Sequence, residues 1–443
     1  MNKKCDIALK YIVYLLIFEI VLGGAGREIT IGHMTIRMIL YVVAFIIVAI
    51  CFFNNGFKSY NENFKKMGLY YIVAGMFMAW VAFSAINGYF FAHRSLSEVI
   101  GDVTGYMSFL ILLVFNLAIN GKKQIKDMYI AFVIAAVIQS IIIIIIHIGL
   151  GLNIFEFTSM NDLLQKLYIG NLSYIVPNTI RIFFKSSIYL QVVFVVLIGM
   201  SSREEFKKYK KLIYLGIVFV TYANILSFTR GFWIGAVVSI FLFVLLKQVK
   251  NLKKIILVIV LGTVVMLGIS YISYGNNGMM LSVVSRSGLV HQSTAVTIKG
   301  TKTIVKPGLS GDDVSLDYRK KLSKYMLYTI NQHPILGNGF GVILKQIGQT
   351  TSRCEYMYLD IWMEMGIVGL AIFATIYLAM FVEWIKIRKN NSNGKDLYML
   401  DATMVSLVGL IITTGLNPFF NNPLGITYTI FSICVVNVYR KEK

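Results

Sequence analysis

Charged residues are scarce in this chain, and their scarcity excludes most soluble proteins. Only 14% of the 443 residues are charged, whereas 57% are hydrophobic. An ordinary globular domain carries about 25% charged residues. The composition therefore predicts a protein that lies mostly within a membrane.

Cysteine and histidine are also scarce, and neither is spaced for a disulfide framework or a metal site. The four cysteines are far apart in the sequence: Cys5, Cys51, Cys354 and Cys434. Only Cys354 falls in a segment predicted to face outward, so no intrachain disulfide is expected. Asp312, Asp313 and Asp317 resemble metal ligands superficially, but a solvated loop explains them better. We therefore expect no bound metal and no other cofactor.

Helix-length apolar runs account for most of the sequence. An apolar helix of about 20 residues crosses a hydrocarbon core of about 30 Å. The predicted spans are Ala8–Gly24, Met38–Phe53, Gly68–Asn87, Ile100–Ile119, Met128–Ile148, Ile182–Met200, Leu212–Phe228, Phe232–Leu246, Ile255–Ser273, Ile361–Trp384, Leu397–Leu416 and Leu424–Val438. The predicted fold class is an all-α polytopic membrane protein with about twelve transmembrane helices.

The excess of basic residues is explained by their position between the spans. The formal net charge is +21, and 25 of the 42 Lys and Arg residues fall in segments that alternate onto the side of both termini. Short loops rich in Lys and Arg stay in the cytoplasm. All five prolines then fall in loops on the other side. We expect a multi-pass membrane protein with cytoplasmic termini, and no bound nucleic acid.

One outward segment is far longer than the others. Residues 1–273 hold predicted spans 1 to 9, residues 274–360 form a large extracytoplasmic loop subdomain, and residues 361–443 hold spans 10 to 12. A membrane scaffold with one oversized outer loop indicates a function at the outer surface.

The large loop contains one predicted amphipathic helix. Ser315 is placed to cap it, its apolar stripe includes Tyr318, Leu322 and Met326, and it ends before Pro334. Two interpretations stay open: the helix lies on the outer membrane surface, or it packs its stripe on its own subdomain.

Arg230 lies in the string SFTRGFW, between two apolar runs. The run that follows, Phe232–Leu246, would be about 22 Å long as a helix. That is shorter than the hydrocarbon core, so the turn is predicted to lie below the outer surface. A guanidinium at that depth is costly unless it faces a polar cavity and an anionic partner. We favour a functional arginine over a snorkelling one.

Arg181 and Lys185 are predicted to open the sixth span, in VPNTIRIFFKSSIYL. They are four residues apart, so a helix would place them on one face. Together with Arg230 they could bind a pyrophosphate, because arginine matches phosphate oxygens with two donors. Anchoring at the membrane interface is the alternative, and it is the better account of Lys185.

Glu355 is the candidate general base. It directly precedes the tenth predicted span, on the same side as the candidate arginines. A carboxylate beside a cation-lined cavity can accept the proton of a sugar hydroxyl. The alternative is that Glu355 only complements the positive end of a helix dipole. Asp360 and Glu364 add two acids on one helix face.

Three glycines of LGNGFG, Gly337, Gly339 and Gly341, predict a flexible outer turn. Their spacing is that of neither a P-loop nor a dinucleotide-binding turn, so it assigns no ligand.

Three motifs in order resemble the O-antigen ligase and polymerase superfamily of bacterial surface-polysaccharide assembly. The first is the turn SFTRGFW between two helices. The second is an arginine-led helix that ends in a proline and glycines, DYRKKLSKYMLYTINQHPILGNGFG. The third is a polar residue that opens a helix ending in two glycines, EYMYLDIWMEMGIVGL. Their order, and their common side of the membrane, carry the resemblance from about Arg181 to Tyr377.

The resemblance implies a metal-independent glycosyltransferase of the lipid-linked, GT-C-like type. Its donor would be an oligosaccharide on undecaprenyl pyrophosphate, with Arg181 and Arg230 on the pyrophosphate leaving group. Ligases of the family commonly have a histidine where this chain has Glu355, which puts the ligase reaction in doubt. Four further residues are expected to bind substrate: Lys185, Arg319, Gly337 and Gly339.

The favoured function is a polymerase that transfers the growing glycan onto a sugar hydroxyl of another lipid-linked repeat unit. Membrane lipid and a chain-length regulator would be its other partners. A ligase that moves the glycan onto lipid A-core or another acceptor would share the site. A lipid-linked oligosaccharide flippase belongs to another class, and its candidate intramembrane acids are Glu19, Asp102 and Asp401.

Overall fold

The structure, a computed structural model, describes most of the chain. The described residues are 3–24, 26, 30–31, 34–65, 68–176, 179–274, 296–298, 301–303, 311–352, 354–391, 397–415 and 417–441. Pro177, Pro307 and Arg353 lie outside the described residues, and so do the side chains of Ser315, Asp312 and Asp313.

Helices form nearly all of the described structure. They are α1 (Lys3–Leu22), α2 (Ile36–Lys65), α3 (Leu69–Ile86), α4 (Leu96–Tyr106), α5 (Leu112–Ala118), α6 (Lys122–Gly151), α7 (Phe157–Lys166), α8 (Ile188–Ser201), α9 (Lys210–Leu226), α10 (Arg230–Leu245), α11 (Leu252–Tyr274), α12 (Gly311–Ile330), α13 (Met357–Asn390), α14 (Tyr398–Thr414) and α15 (Pro423–Lys441). A π-helical turn, Asn87–Phe91, extends α3, and a 3₁₀ turn, Met107–Ile111, joins α4 to α5.

The long helices run back and forth between two ends of the molecule. We call the end that carries α7 and α12 the loop end, and the end that carries the start of α1 and the finish of α15 the terminal end. At the terminal end Lys10 on α1 pairs with Asp127 on α6. The centre of the bundle is formed by α8, α14 and α15, whose side chains are almost all buried.

Seven helical stretches of the described chain are long and apolar enough to cross a membrane. They are Ile36–Asn54, Leu69–Phe91, Leu96–Ala118, Lys122–Gly151, Glu204–Leu226, Leu252–Tyr274 and Met357–Asn390. The shorter apolar helices α8, α10 and α14 also coincide with predicted spans. The chain is therefore a mostly helical protein of the multi-pass membrane type. The number twelve and the boundaries of the loop subdomain stay predictions.

The structure has small elements between the long helices that the sequence analysis missed. Helix α7 packs against the antiparallel hairpin of β3 (Gly170–Val176) and β4 (Thr179–Phe184). Two further two-stranded hairpins are β1 (Thr30–Ile31) with β2 (Met34–Thr35), and β5 (Val296–Ile298) with β6 (Thr301–Thr303). The all-α prediction is therefore correct for the bundle but incomplete for the loop end.

Helix α12 packs on its own part of the loop end. Leu322, Met326 and Ile330 on its apolar stripe are buried together with Val342 and Met363. The packed stripe favours the second of the two interpretations left open by the sequence, because a stripe buried in protein is unavailable to the membrane surface.

Residues 337–341 of the LGNGFG segment are buried, so the prediction of a flexible outer turn is wrong. Gly366 breaks α13 with φ of 70°, and the break leaves carbonyls without their usual helical partners. The backbone N–H groups of Asn338 and Gly339 donate to the carbonyls of Met363 and Glu364, both at 2.9 Å. The segment is therefore a fixed part of the bundle.

The same segment is held from its other side. Arg94, which lies between the end of the π turn and α4, donates to the carbonyls of Gly339 and Phe340 at 2.6 and 2.8 Å. The N–H of Phe340 donates to the carbonyl of Ser84 on α3 at 3.1 Å. The glycines are needed because Gly337, Gly339 and Gly341 have φ of 82°, 75° and 87°, a region that other residues rarely adopt.

Gly339→Ala is expected to destabilise the protein more than Gly348→Ala does. Both glycines have positive φ, 75° and 76°, so alanine strains either backbone by about 1–2 kcal/mol. A Cβ at Gly339 would lie 2.3 Å from the Gly88 nitrogen, whereas nothing lies within 4 Å at Gly348. The clash should add about 1–3 kcal/mol. Thermal unfolding of the two purified variants measures the difference, and equal melting temperatures would contradict the tight packing of this segment.

Candidate functional site

Arg181 lies on strand β4, and its side chain is fixed on the turn between α9 and α10. Its Nε donates to the Ser227 carbonyl at 2.8 Å, and its Nη2 donates to Thr229 Oγ1 at 3.2 Å. The guanidinium also stacks over the Phe183 ring, 4.6 Å from the centroid. The hairpin therefore delivers Arg181 to the residues that immediately precede Arg230.

The predicted helical start of the sixth span is wrong. Residues 179–184 form a strand, and Lys185 begins a 3₁₀ turn that leads into α8. The local sequence TIRIFF is rich in β-branched and aromatic residues, and such residues favour strands. Ile180 and Ile182 are buried while Arg181 is half-buried, which is the two-residue period of a strand.

Arg181 and Lys185 therefore do not share a helix face. The Lys185 ammonium lies over the Tyr168 ring, 5.3 Å from its centroid. Its contacts place it at the base of the hairpin, whereas Arg181 reaches the α9–α10 turn.

Arg230 is the first residue of α10, and its side chain is exposed. The three residues before it are buried and fixed in a tight turn. Ser227 Oγ donates to the Asn224 carbonyl at 2.7 Å, and Phe228 adopts a left-handed φ of 46°. The rigid turn holds Arg230 at the positive end of a helix, where an anion is favoured.

Glu355 forms an ion pair with Arg319 on α12. The Arg319 Nε lies 2.8 Å from Glu355 Oε2, and the two side chains are 34% and 44% exposed. Within the described part of the chain, Glu355 Oε1 has no hydrogen-bond partner. The pair orients the carboxylate two residues before α13 begins. Sequence reasoning assigned Arg319 to substrate and did not predict this pairing.

The end of α14 and the segment that joins it to α15 pack against the start of α10, where Arg230 lies. Thr413 Oγ1 donates to the Gly231 carbonyl at 2.9 Å, and the rings of Phe419 and Phe232 lie 5.8 Å apart.

The same segment packs against the start of α13. The N–H of Phe420 donates to the Met357 sulfur at 3.2 Å, and the Tyr358 hydroxyl donates to the Ile411 carbonyl at 2.7 Å. The start of α13, which follows Glu355, and the start of α10, which carries Arg230, therefore both pack against this part of the chain. No sequence motif pointed to that segment.

The acids that would favour a transporter are engaged locally. Arg37 forms two hydrogen bonds with Glu19, both at 2.8 Å. Asp102 accepts from the N–H of Gly341 at 2.8 Å, and Asp401 accepts from Arg388. Each of the three acids is therefore bound to a neighbouring part of the protein.

The described residues give little support to two other kinds of chemistry, a cysteine nucleophile and a bound metal ion. Burial raises the pKa of the Cys354 thiol well above its usual range, so this cysteine is protonated and a poor nucleophile. In the residues that the structure describes, no group of three or more His, Cys, Asp or Glu side chains could hold a metal ion. Asp317 is exposed on α12.

One family model matches the central part of the chain. Residues 215–374 match the model of a family described as O-antigen ligase. The matched segment contains Arg230, Arg319 and Glu355, whereas Arg181 and Lys185 precede it. The match confirms the resemblance to the O-antigen ligase and polymerase superfamily. No curated protein matches the chain.

The Arg319–Glu355 ion pair is expected to contribute little to stability. Half-exposed ion pairs are typically worth less than about 1 kcal/mol. In a double-mutant cycle with Arg319→Met and Glu355→Gln, the coupling free energy of unfolding should stay below that value. The control is Arg37→Met, because Arg37 and Glu19 are only 6% and 8% exposed and breaking a buried pair costs about 3–5 kcal/mol. If the coupling free energy between Arg319 and Glu355 equalled the loss of stability in Arg37→Met, the pair would have a structural role.

Proposed function

We propose that this protein, whose residues 215–374 match the O-antigen ligase family, is a polymerase of bacterial surface polysaccharide. It transfers a glycan from undecaprenyl pyrophosphate to a sugar hydroxyl of another lipid-linked unit. The acceptor oxygen forms a bond to the anomeric carbon of the donor, and the bond from that carbon to the pyrophosphate breaks. The hydroxyl proton passes to Glu355, and the lipid pyrophosphate leaves as an anion.

The observation that carries this proposal is the meeting of two arginines at one turn. Arg181 comes from a hairpin and bonds to Ser227 and Thr229, and Arg230 follows at the start of α10. Two guanidinium groups and a helix N-terminus form a fixed positive end. Preorganised donors of this kind stabilise charge that develops on a leaving group. A pyrophosphate matches them because it presents several oxygens to planar donor forks.

Glu355 supplies the base in this scheme. Its Oε2 is held by Arg319, so that Oε1 can accept the proton of a sugar hydroxyl within hydrogen-bond distance. We therefore revise the role of Arg319 from contact with substrate to positioning of the base. Gly337 and Gly339 are buried in the bundle, and we assign them to shaping the site.

The cationic groups also explain how the reaction would proceed without a metal. In many phosphate-transferring enzymes divalent ions neutralise the leaving group. Here Arg181 and Arg230 would neutralise the leaving pyrophosphate. Such cationic hydrogen-bond donors fit a metal-independent enzyme of the GT-C-like type.

We further propose that the loop end faces outward and that both termini are cytoplasmic. The support for this is the positive-inside rule, which assigns the short basic segments between the spans to the cytoplasmic side. Lipid-linked units would then reach the site in the outer leaflet of the inner membrane, and a chain-length regulator could act there.

A ligase is the second candidate, because the matching family is described as O-antigen ligase. It would use the same donor, arginines and base, and would differ only in the acceptor. Glu355 stands where ligases commonly have histidine, which favours the polymerase. A flippase is disfavoured because Glu19 and Asp401 are paired with arginines.

Arg230→Lys is expected to lose most activity while the protein still folds and inserts. An ammonium cannot present two parallel donors to phosphate oxygens. Losing contacts of about 1.5–3 kcal/mol should slow turnover by one to two orders of magnitude. Polymer formation by purified protein with lipid-linked repeat units measures the loss. Arg203→Lys at the terminal end, beside Gln248, is the matched control, and equal activity of both variants would refute the role of Arg230.

Glu355→Gln is expected to be nearly inactive yet still bind the donor. General-base catalysis is typically worth about 10²–10⁴-fold, and glutamine cannot accept the proton. Glu98→Gln is the matched control, because Glu98 is half-buried and caps the start of α4. A single-turnover assay should show a large loss only for Glu355→Gln. If both variants keep most of their activity, Glu355 only complements a helix N-terminus.

A further inference from the structure

Helix α12 has a second, exposed face opposite its packed stripe. Lys320, Lys321 and Lys324 lie on this face and are all exposed. Leu327 and Tyr328 follow on the same face, 46% and 64% exposed. The face is therefore basic along its first half and apolar along its second.

Beyond the apolar half, the chain meets exposed apolar residues of α13. Ile335, next along the chain, is 62% exposed. The N–H of Ile367 donates to the Pro334 carbonyl at 2.9 Å, and Ile367 is itself 43% exposed. Leu378 and other large apolar residues remain exposed farther down α13, as expected of a surface against acyl chains. The lysines thus lie beyond the end of an apolar stripe, on the side away from the bundle.

A cationic group at the head of an apolar stripe fits an anionic amphiphile whose tail lies along the stripe. The headgroup would carry phosphate, since clustered lysines at a membrane surface attract anionic lipid headgroups.

We propose that this face of α12 binds the pyrophosphate of the acceptor, the second lipid-linked substrate, which rests on the polymerase function proposed above. Arg319 and Glu355 lie on the opposite, packed side of the same helix, which is about 10–12 Å across with its side chains. The reacting hydroxyl of an acceptor lies at the far end of its glycan, one repeat unit from its pyrophosphate. A headgroup on the lysines therefore leaves the glycan free to reach Glu355.

Separate cation sites also solve an electrostatic problem. Donor and acceptor each carry a negatively charged pyrophosphate, and like charges repel strongly near a low-dielectric membrane. Arg181 and Arg230 would hold the donor headgroup, while the α12 lysines hold the acceptor headgroup on another element.

The test compares two acceptors with a triple variant, Lys320→Gln, Lys321→Gln and Lys324→Gln. One acceptor is the repeat unit on undecaprenyl pyrophosphate, and the other is the same oligosaccharide on a short uncharged alkyl group. The variant should raise KM for the lipid-linked acceptor about tenfold, as expected for three weak charge contacts. KM for the uncharged acceptor and kcat with either acceptor should stay unchanged. Lys207→Gln, Lys208→Gln and Lys211→Gln at the terminal end form the charge-matched control.

Three outcomes would overturn the proposal. They are equal KM values for variant and parent, an equal rise for both acceptors, and a rise that follows the anionic phospholipid content of the vesicles. The last outcome would show that the face contacts anionic phospholipid in general and not the acceptor.

If the parent protein transfers no glycan to any acceptor, the proposed polymerase function is refuted, but the α12 site is not yet tested. Binding of the lipid-linked unit to Glu355→Gln protein is then measured with and without the three lysine changes. The comparison tests whether the exposed face of α12 binds this unit. Unchanged binding in the triple variant would refute the site independently of turnover.

Discussion

The backbone of the LGNGFG segment fills a break in α13, and the geometry of the loop end depends on this contact. A helix that breaks inside an apolar bundle leaves polar groups that lipid cannot satisfy. Here the Met363 and Glu364 carbonyls accept from the N–H groups of Asn338 and Gly339, and the Met365 carbonyl accepts from the Trp80 indole at 2.8 Å. Because an unsatisfied buried polar group costs about 1–3 kcal/mol, the segment and the break require each other.

This contact positions α12 and α13 relative to each other. Helix α12 leads into the segment and α13 contains the break, and Arg319 and Glu355 form an ion pair between α12 and the residues just before α13. The start of α13 then packs against the end of α14 and its connection to α15, which also pack against the start of α10, where Arg230 lies. Rigid support of this kind is what a site needs when it relies on positioning and electrostatics. The positive end formed with Arg181 is built from distant parts of the chain.

The sequence predicts the helices better than it predicts the site. Long apolar runs, the α12 stripe and the turn before Arg230 are local patterns, and the structure has helices or turns at each of them. The hairpin was missed because the apolar residues of its second strand lead directly into an apolar helix, so composition alone predicts one span over Ile182–Met200. The glycines were misread as flexible because their burial depends on α3 and on the break at Gly366. The Arg319–Glu355 pair joins side chains 36 residues apart, which no spacing rule reveals.

The most direct test of the central claim is to follow purified protein in vesicles with a single lipid-linked repeat unit. A polymerase should form lipid-linked dimers and longer chains, and should release one undecaprenyl pyrophosphate for each new linkage. Both products can be measured in the same extract by mass spectrometry. Movement of the unit across the bilayer without any new glycosidic linkage or free lipid pyrophosphate would contradict the account.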